Sequence, residues 1–176
     1  MRIDMNGNMV VGRAIERGSF ESAQQDLFKL IEEMVSIEDL KKLLYYNSKD
    51  CLSRDNITDE QTMSLLHNQI LVVPKIQIDG EKKSTIIVTF DNYTTNSNNP
   101  EFRDNIIVFD VLCPMDLWVL DGYNLRPYRI MGEIDKMLKK KKLSGIGRVD
   151  FVSANQSLLS DELAGFTLMY RVVNDA

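Results

Sequence analysis

The chain has 176 residues, of which 44% are hydrophobic and 27% charged, with 21 basic and 26 acidic side chains giving a formal net charge of -5. These proportions are those of a folded globular domain and exclude an intrinsically disordered chain. The acidic balance argues against a protein that clamps nucleic-acid phosphates over a broad basic face, and no apolar run approaches the ~18 residues of a membrane-spanning helix.

The first part of the chain predicts an arm followed by a helix. Residues 1–18 carry spaced glycines and asparagines and are interpreted as an extended arm, without the basic start and apolar middle of a secretory signal. From Ser19, a favoured N-cap residue, apolar side chains recur at the three-and-four spacing of one helical face. Those side chains are Phe20, Ala23, Leu27, Leu30, Ile31 and Met34.

Two further helices are predicted from capping boxes. In this motif the N-cap side chain and the side chain three residues later each bond the other's backbone N–H. Ser36 with Asp39 and Thr58 with Gln61 both match the pattern, and each precedes an apolar stripe. We therefore expect the N-terminal region to be helical as far as residue 69.

Runs of β-branched residues then replace the helical spacing and predict strands over 70–78, 84–91 and 105–113. A turn at Asp79-Gly80 is predicted between the first two strands. In the third run both alternating sets of side chains are apolar, which is typical of a central strand with two buried faces. The polar segment 92–103 is interpreted as a surface loop.

The last third predicts a short strand at 117–120, a long amphipathic helix over about 126–143 and final strands at 149–154 and 165–173. Pro127 suits the first turn of that helix because its missing N–H has no intrahelical acceptor there. This helix has the clearest apolar stripe of the chain.

Together these elements predict an α+β fold: a small, mainly antiparallel sheet, one long packed helix and an N-terminal helical region. We expect a single domain over 19–176, with its helical part at 19–69 and the sheet and long helix at 70–176.

The sequence contains no grouping that we associate with catalysis. His67 is the only histidine, and a metal site there would lack a second imidazole. Cys51 and Cys113 lie far apart in dissimilar contexts and are interpreted as reduced thiols, and no glycine-framed serine elbow occurs. We therefore predict a protein that is not an enzyme and that uses neither cofactor nor metal.

A basic segment, residues 136–148, stands out in this acidic chain. Its glycines, Gly145 and Gly147, follow a predicted helix, whereas those of a phosphate-binding loop follow a strand and open a helix. Lysines in a last helical turn are favoured by the helix dipole by ~0.3 to 1 kcal/mol each, so a helix-end role and a partner contact are both open. The lysines concerned are Lys139, Lys140, Lys141 and Lys142.

Other candidate partner contacts lie near the start of the long helix and in the polar loop. Trp118 suits either a core or an interface. Arg126 and Arg129 flank Pro127 where the helix dipole disfavours cations, so we expect them to have an acidic partner. The remaining candidates are Arg148, Asn96, Asn98 and Asn99.

Four runs carry a resemblance to a known class of proteins. They are NPEFRDNIIVFDV at 99–111, LWVL at 117–120, LRPYRIMGEID at 125–135 and GIGR at 145–148. Within the half of the chain from Ser84 to Val173, these runs resemble the neck and tail-completion proteins of long-tailed bacteriophages. The order of elements resembles the tail-terminator group, although the helical region before the sheet is longer than usual.

The resemblance implies a non-enzymatic ring, usually of six subunits, that ends the tail tube and joins it to the head connector. Its partners would be further copies of itself, the tail-tube protein and connector or neck proteins. DNA would pass through the lumen without sequence-specific binding. The expected location is the virion neck, and the host cytoplasm during assembly, with no membrane contact. Terminator and another head-to-tail joining ring both stay open. The alternative is a small nucleic-acid-binding or regulatory module that uses residues 139–148.

Overall fold

The computed structural model of the chain describes residues 20–73, 82–95, 103–140 and 148–173, together with two short strands near the N-terminus. These residues form an α+β fold with four helices and a five-stranded, mainly antiparallel sheet, which confirms the predicted fold class. Among them no helix is both long and apolar enough to cross a membrane.

The helices are α1 (Phe20–Val35), α2 (Glu38–Tyr45), α3 (Asp59–Asn68) and α4 (Arg126–Lys140). The strands before the middle of the chain are β1 (Arg2–Ile3), β2 (Met9–Val10), β3 (Ile70–Leu71) and β4 (Thr85–Thr95). The later strands are β5 (Arg103–Pro114), β6 (Val119–Leu120), β7 (Asn124–Leu125), β8 (Arg148–Leu158) and β9 (Leu163–Val173).

The main sheet has the strand order β3-β4-β5-β9-β8, so β5 lies at its centre as predicted. Both faces of β5 are buried: Phe109 and Val111 alternate with Val108 and Leu112. All neighbouring strands are antiparallel except β3 and β4, which run parallel. The turn predicted at Asp79-Gly80 lies outside the described residues.

The helices cover one face of the sheet. Ile130 and Ile134 of α4 are fully buried in the same apolar cluster as Phe109, whose ring meets that of Tyr170 edge-on at 6.0 Å between centroids. Burying each side chain of this size stabilises the fold by ~1.5 to 3 kcal/mol. The Tyr170 hydroxyl donates to Asp135 of α4 at 3.2 Å. The pKa of Tyr170 is raised, mainly because the ring is buried and also because the Asp135 carboxylate lies beside the hydroxyl. The apolar stripe of α4 therefore decides how the helix lies on the sheet.

One of the two predicted capping boxes is present and the other is wrong. Before α3, the Gln61 N–H donates to the Thr58 hydroxyl at 3.2 Å while the Gln61 side chain accepts from the Thr58 N–H at 2.9 Å. Before α2 the N-cap is Ile37, without a side-chain cap. Ser36 directly follows α1, and its hydroxyl donates to the carbonyl of Glu33 at 2.7 Å.

We expect Thr58→Ala to lower the free energy of unfolding by about 1 kcal/mol, because the Gln61 N–H at the start of α3 loses its acceptor, the Thr58 hydroxyl. Ser36→Ala is the matched control, since its hydroxyl caps no helix start and should matter by only a few tenths of that. Urea unfolding of both variants measures the difference. Equal losses would contradict the capping role of Thr58.

The remaining boundaries differ from the predictions in detail. The long helix begins at Arg126 as predicted and is described to Lys140. The predicted strand at 117–120 is only β6, because Trp118 has helical backbone angles at the end of a short 3-10 turn. In the predicted loop 92–103, β4 continues to Thr95 past a bulge, and in the predicted arm β1 and β2 pair antiparallel.

Candidate partner-contact surfaces

Arg126 is a buried clamp between the helical region and the start of α4. Its side chain is 0% exposed, and its guanidinium donates to the carbonyls of Tyr46 at 3.0 Å and Ser48 at 2.7 Å. It also donates to the carbonyl of Leu43, and its Nε donates to the carbonyl of Leu117 at 2.9 Å. Three of these four acceptors follow or end α2, so the guanidinium caps the negative end of that helix.

This geometry corrects the prediction that Arg126 contacts a partner through an acidic group. The side chain is enclosed within the chain, and its acceptors are backbone carbonyls. Arg129, one turn further along α4, does have an acidic partner: its Nη2 lies 3.8 Å from Asp39 Oδ2 of α2, and both side chains are partly exposed. The two arginines that flank Pro127 thus both hold α4 against α2.

Trp118 lies at the edge of the core. Its indole N–H donates to the carbonyl of Cys113 at 3.2 Å, and its ring lies 6.3 Å from that of Phe166 between centroids. Tyr128 of α4 meets the other part of Phe166 edge-on at 5.1 Å. The half-buried tryptophan therefore supports a row of aromatic rings whose outer member, Tyr128, faces solvent.

A group of exposed apolar side chains, here called the hairpin patch, includes the outer member of this aromatic row. It consists of Val119, Tyr123, Leu125 and Tyr128, all exposed. Val119 pairs with Leu125 across the β6–β7 hairpin, which puts their side chains on the same face. At the tip, Gly122 and Tyr123 have φ values of 72° and 62°. A tyrosine in this region costs ~1 kcal/mol or more, and such strain is concentrated at functional sites.

The sheet has a second exposed apolar region along its edge strand β8. Phe151, Val152 and Leu158 are all exposed, Leu158 to 72% of its surface. A one-residue bulge occurs between Phe151 and Ser153, after which β8 pairs regularly with β9. In the described part of the chain no strand pairs with the outer side of β8.

The opposite edge of the sheet is also apolar and exposed. Val72 and Val73 follow β3 directly, and Phe20 of α1 is 63% exposed beside Tyr93 of β4, with 5.1 Å between ring centroids. Phe28, two turns along α1, is exposed as well. Large apolar side chains on both lateral edges are typical of a subunit that is covered by neighbours.

The basic candidates have acidic partners where they are described. Lys139 Nζ lies 2.6 Å from Asp135 Oδ2, and Arg148 Nη2 lies 2.9 Å from Asp150 Oδ2. The backbone of Lys140 ends α4, and nothing is described of its side chain. Five candidates lie outside the described residues: Lys141, Lys142, Asn96, Asn98 and Asn99.

A polar cleft of about 660 Å³ lies where β5 ends, with Asp116, Asp161 and Glu162 in its lining. Lys82 forms an ion pair with Glu162 there. Among the described residues no three histidine, cysteine or acidic side chains form a group that could hold a metal ion. Burial raises the pKa of Cys113 to about 11 and also raises that of Cys51, so neither thiol is activated as a nucleophile.

Sequence reasoning missed the Arg126 clamp and the hairpin patch. The clamp has no local signal, because its acceptors in and just after α2 lie 78 to 83 residues earlier in the chain. For the patch a signal was present: Asp121-Gly122 favours a tight turn, and apolar residues flank it on both sides.

Comparison with models of known protein families gives a match. A protein-family model described as YomW covers residues 38–172, from the start of α2 to the end of β9. The name is phage-derived, of the SPbeta type, and suggests a phage-associated protein. Neither a curated protein nor a solved structure matches significantly.

Proposed function

The chain belongs to the YomW family, whose phage-derived name suggests a phage protein, and from this premise we propose that it is a structural protein of the virion. We propose further that it forms a ring in the neck, usually of six copies in the group that it resembles. This ring ends the tail tube and joins it to the head connector. A tail terminator and another ring that joins head to tail would assemble in the same way, because both repeat one subunit around a ring.

One observation carries the proposal: large apolar side chains stay exposed on several sides of a well-packed core. They occur on both lateral edges of the sheet and on the hairpin patch. Monomeric soluble proteins rarely expose contiguous apolar patches larger than a few hundred Å², whereas a ring subunit needs two lateral contacts and at least one axial contact. The lateral edges supply the first two, and the hairpin patch supplies an axial surface for a tail-tube or connector protein.

The charge of the chain supports the same function. A lumen through which DNA slides should not hold phosphates strongly, and the net charge of -5 keeps non-specific binding weak. The alternative, a nucleic-acid-binding module that uses residues 139–148, has less support, because Lys139 and Arg148 both form ion pairs with acidic neighbours. Salt-sensitive DNA binding that weakened in Lys139→Ala would favour that alternative.

The test of the proposed function is the mass of the purified full-length chain in solution. Because no described strand covers either lateral edge in one copy, we expect a closed oligomer of defined mass by light scattering and native mass spectrometry, and rings in electron micrographs. A phage that lacks the gene should produce heads and tails that fail to join, or tails of irregular length. A chain that stays monomeric at its highest soluble concentration and binds neither tail-tube nor connector subunits would overturn the proposal.

A further inference from the structure

We propose that the two lateral edges of the five-stranded sheet pair with each other between copies of this chain. Strand β8 of one subunit would lie beside the β3–β4 edge of the next subunit, so that one sheet continues around the oligomer. This inference rests on the proposed ring function and names the contact that closes the ring.

Among the described strands, none pairs with the outer side of the β8 backbone. The Leu159 N–H donates to the carbonyl of Leu163 at 3.1 Å, which makes these two residues a hydrogen-bonded pair at the end of the β8–β9 ladder. Because such pairs alternate along an antiparallel ladder, the N–H and C=O groups of Ala154, Gln156 and Leu158 point away from β9. All three residues are exposed, so a further strand could reach these groups.

The opposite edge is only partly covered. Strand β3 pairs with just two residues of β4, Ile86 and Ile87, and the Ile86 N–H points outward, where it donates to the carbonyl of Gln69 at 2.7 Å. By the same alternation the backbone groups of Phe90 point outward, beyond the end of β3. Within the described residues no strand pairs with β4 on that side after Ile87.

The strand directions make the two edges compatible. Strands β3, β4 and β9 run in one direction, and β5 and β8 run in the opposite direction. Neighbouring subunits of a cyclic ring have the same orientation relative to the ring axis, so β8 would meet either strand of the next copy antiparallel. Antiparallel pairs are slightly more stable per residue than parallel pairs. Contacts that join one edge of a subunit to the other edge of the next copy can close into a ring.

The side chains at the two edges also suit each other. Phe151, Val152 and Leu158 are exposed along β8, and Val72 and Val73 are exposed beside β3. A long apolar edge strand left uncovered is an aggregation hazard, which soluble proteins usually avoid with charges or prolines. From Val152 to Leu158 β8 contains neither a charged residue nor a proline, so it lacks that protection.

The first test is Gln156→Pro in the full-length chain. Proline removes an N–H that points away from β9, so the ladder within the chain should keep its hydrogen bonds while the outer side can no longer pair fully. We expect the variant to fold and to shift from the oligomer to the monomer mass. Gln156→Ala is the matched control and should assemble like the unmodified chain.

The second test cross-links copies through introduced cysteines and stays informative if Gln156→Pro does not fold. A chain with both Gln156→Cys and Val73→Cys, treated with a short bismaleimide, should give a ladder of covalent species up to the full ring. Either substitution alone should give none, because the native Cys51 and Cys113 are buried and each new cysteine would face an unmodified edge.

The outcomes separate this inference from the proposed function. Rings that assemble unchanged in Gln156→Pro, or that give no ladder in the doubly substituted chain, would overturn the edge pairing and leave the ring function standing. Cross-linking of Gln156→Cys with itself would show a two-fold β8–β8 dimer and overturn the head-to-tail arrangement. A monomeric unmodified chain would overturn the ring function itself.

Discussion

Replacing Gly165 with alanine should lower the free energy of unfolding by roughly 3 to 5 kcal/mol, or prevent folding altogether. Gly165 is buried in β9, next to the central strand β5. A Cβ atom at this position would lie 1.7 Å from the carbonyl oxygen of Val111 and 2.8 Å from its carbon. Both atoms are backbone, so the two strands would have to separate at the centre of the sheet.

The matched control is Gly132→Ala in α4. A Cβ there meets no atom within 4 Å, and alanine is favoured over glycine in a helix interior by roughly 0.5 to 1 kcal/mol. We therefore expect Gly132→Ala to be neutral or slightly stabilising in thermal and denaturant unfolding. If Gly165→Ala were as stable as this control, the close approach of β9 to β5 would be wrong.

The second large effect is expected for Arg126→Met, which keeps much of the apolar side chain and removes the guanidinium. Four buried or partly buried carbonyls lose their donor, and each unsatisfied buried acceptor costs about 1 to 3 kcal/mol. Because water can reach some of these carbonyls, we expect a loss of roughly 3 to 5 kcal/mol in the free energy of unfolding. The free energy of unfolding of Arg126→Lys should lie between those of Arg126→Met and the unmodified chain, since one ammonium cannot reach all the acceptors that surround a planar guanidinium.

Arg129→Met serves as the control for this prediction. It removes a positive charge three residues along the same helix, but its ion pair with Asp39 is long and partly exposed, so we expect a loss below about 1 kcal/mol. Denaturant unfolding followed by far-ultraviolet circular dichroism compares the two variants. Similar losses at the two positions would mean that Arg126 acts only as a surface charge.

Much of the fold could be predicted because its signals are local. The apolar stripe of α4 and Pro127 in its first turn set the start of the long helix, and the double apolar alternation of 105–113 identified the central strand. The capping box of Thr58 and Gln61 was predicted correctly for the same reason, since both partners are three residues apart. The capping box predicted at Ser36 was wrong, because the residue pattern alone does not tell where the preceding helix ends and the next one begins.

The partners of the candidate contact residues could not be predicted from the sequence. Sequence reasoning selected charged and polar residues, such as Arg126, Arg129 and Arg148, and each of these has partners within the chain. The exposed surface also carries large apolar side chains on the hairpin patch and the two sheet edges. An apolar residue in a strand has the same local pattern whether its face is covered or open, so exposure could not be inferred.

The sequence by itself determined the class of the fold, the position of its helices and the central place of β5, because helical and strand spacing depend on residues close together in the chain. Only the tertiary structure decided which strands are edges, that β3 runs parallel to β4, and that Arg126 holds the end of α2. These features depend on groups that are distant in sequence, whose pairing is set by packing and by the need to satisfy buried carbonyls.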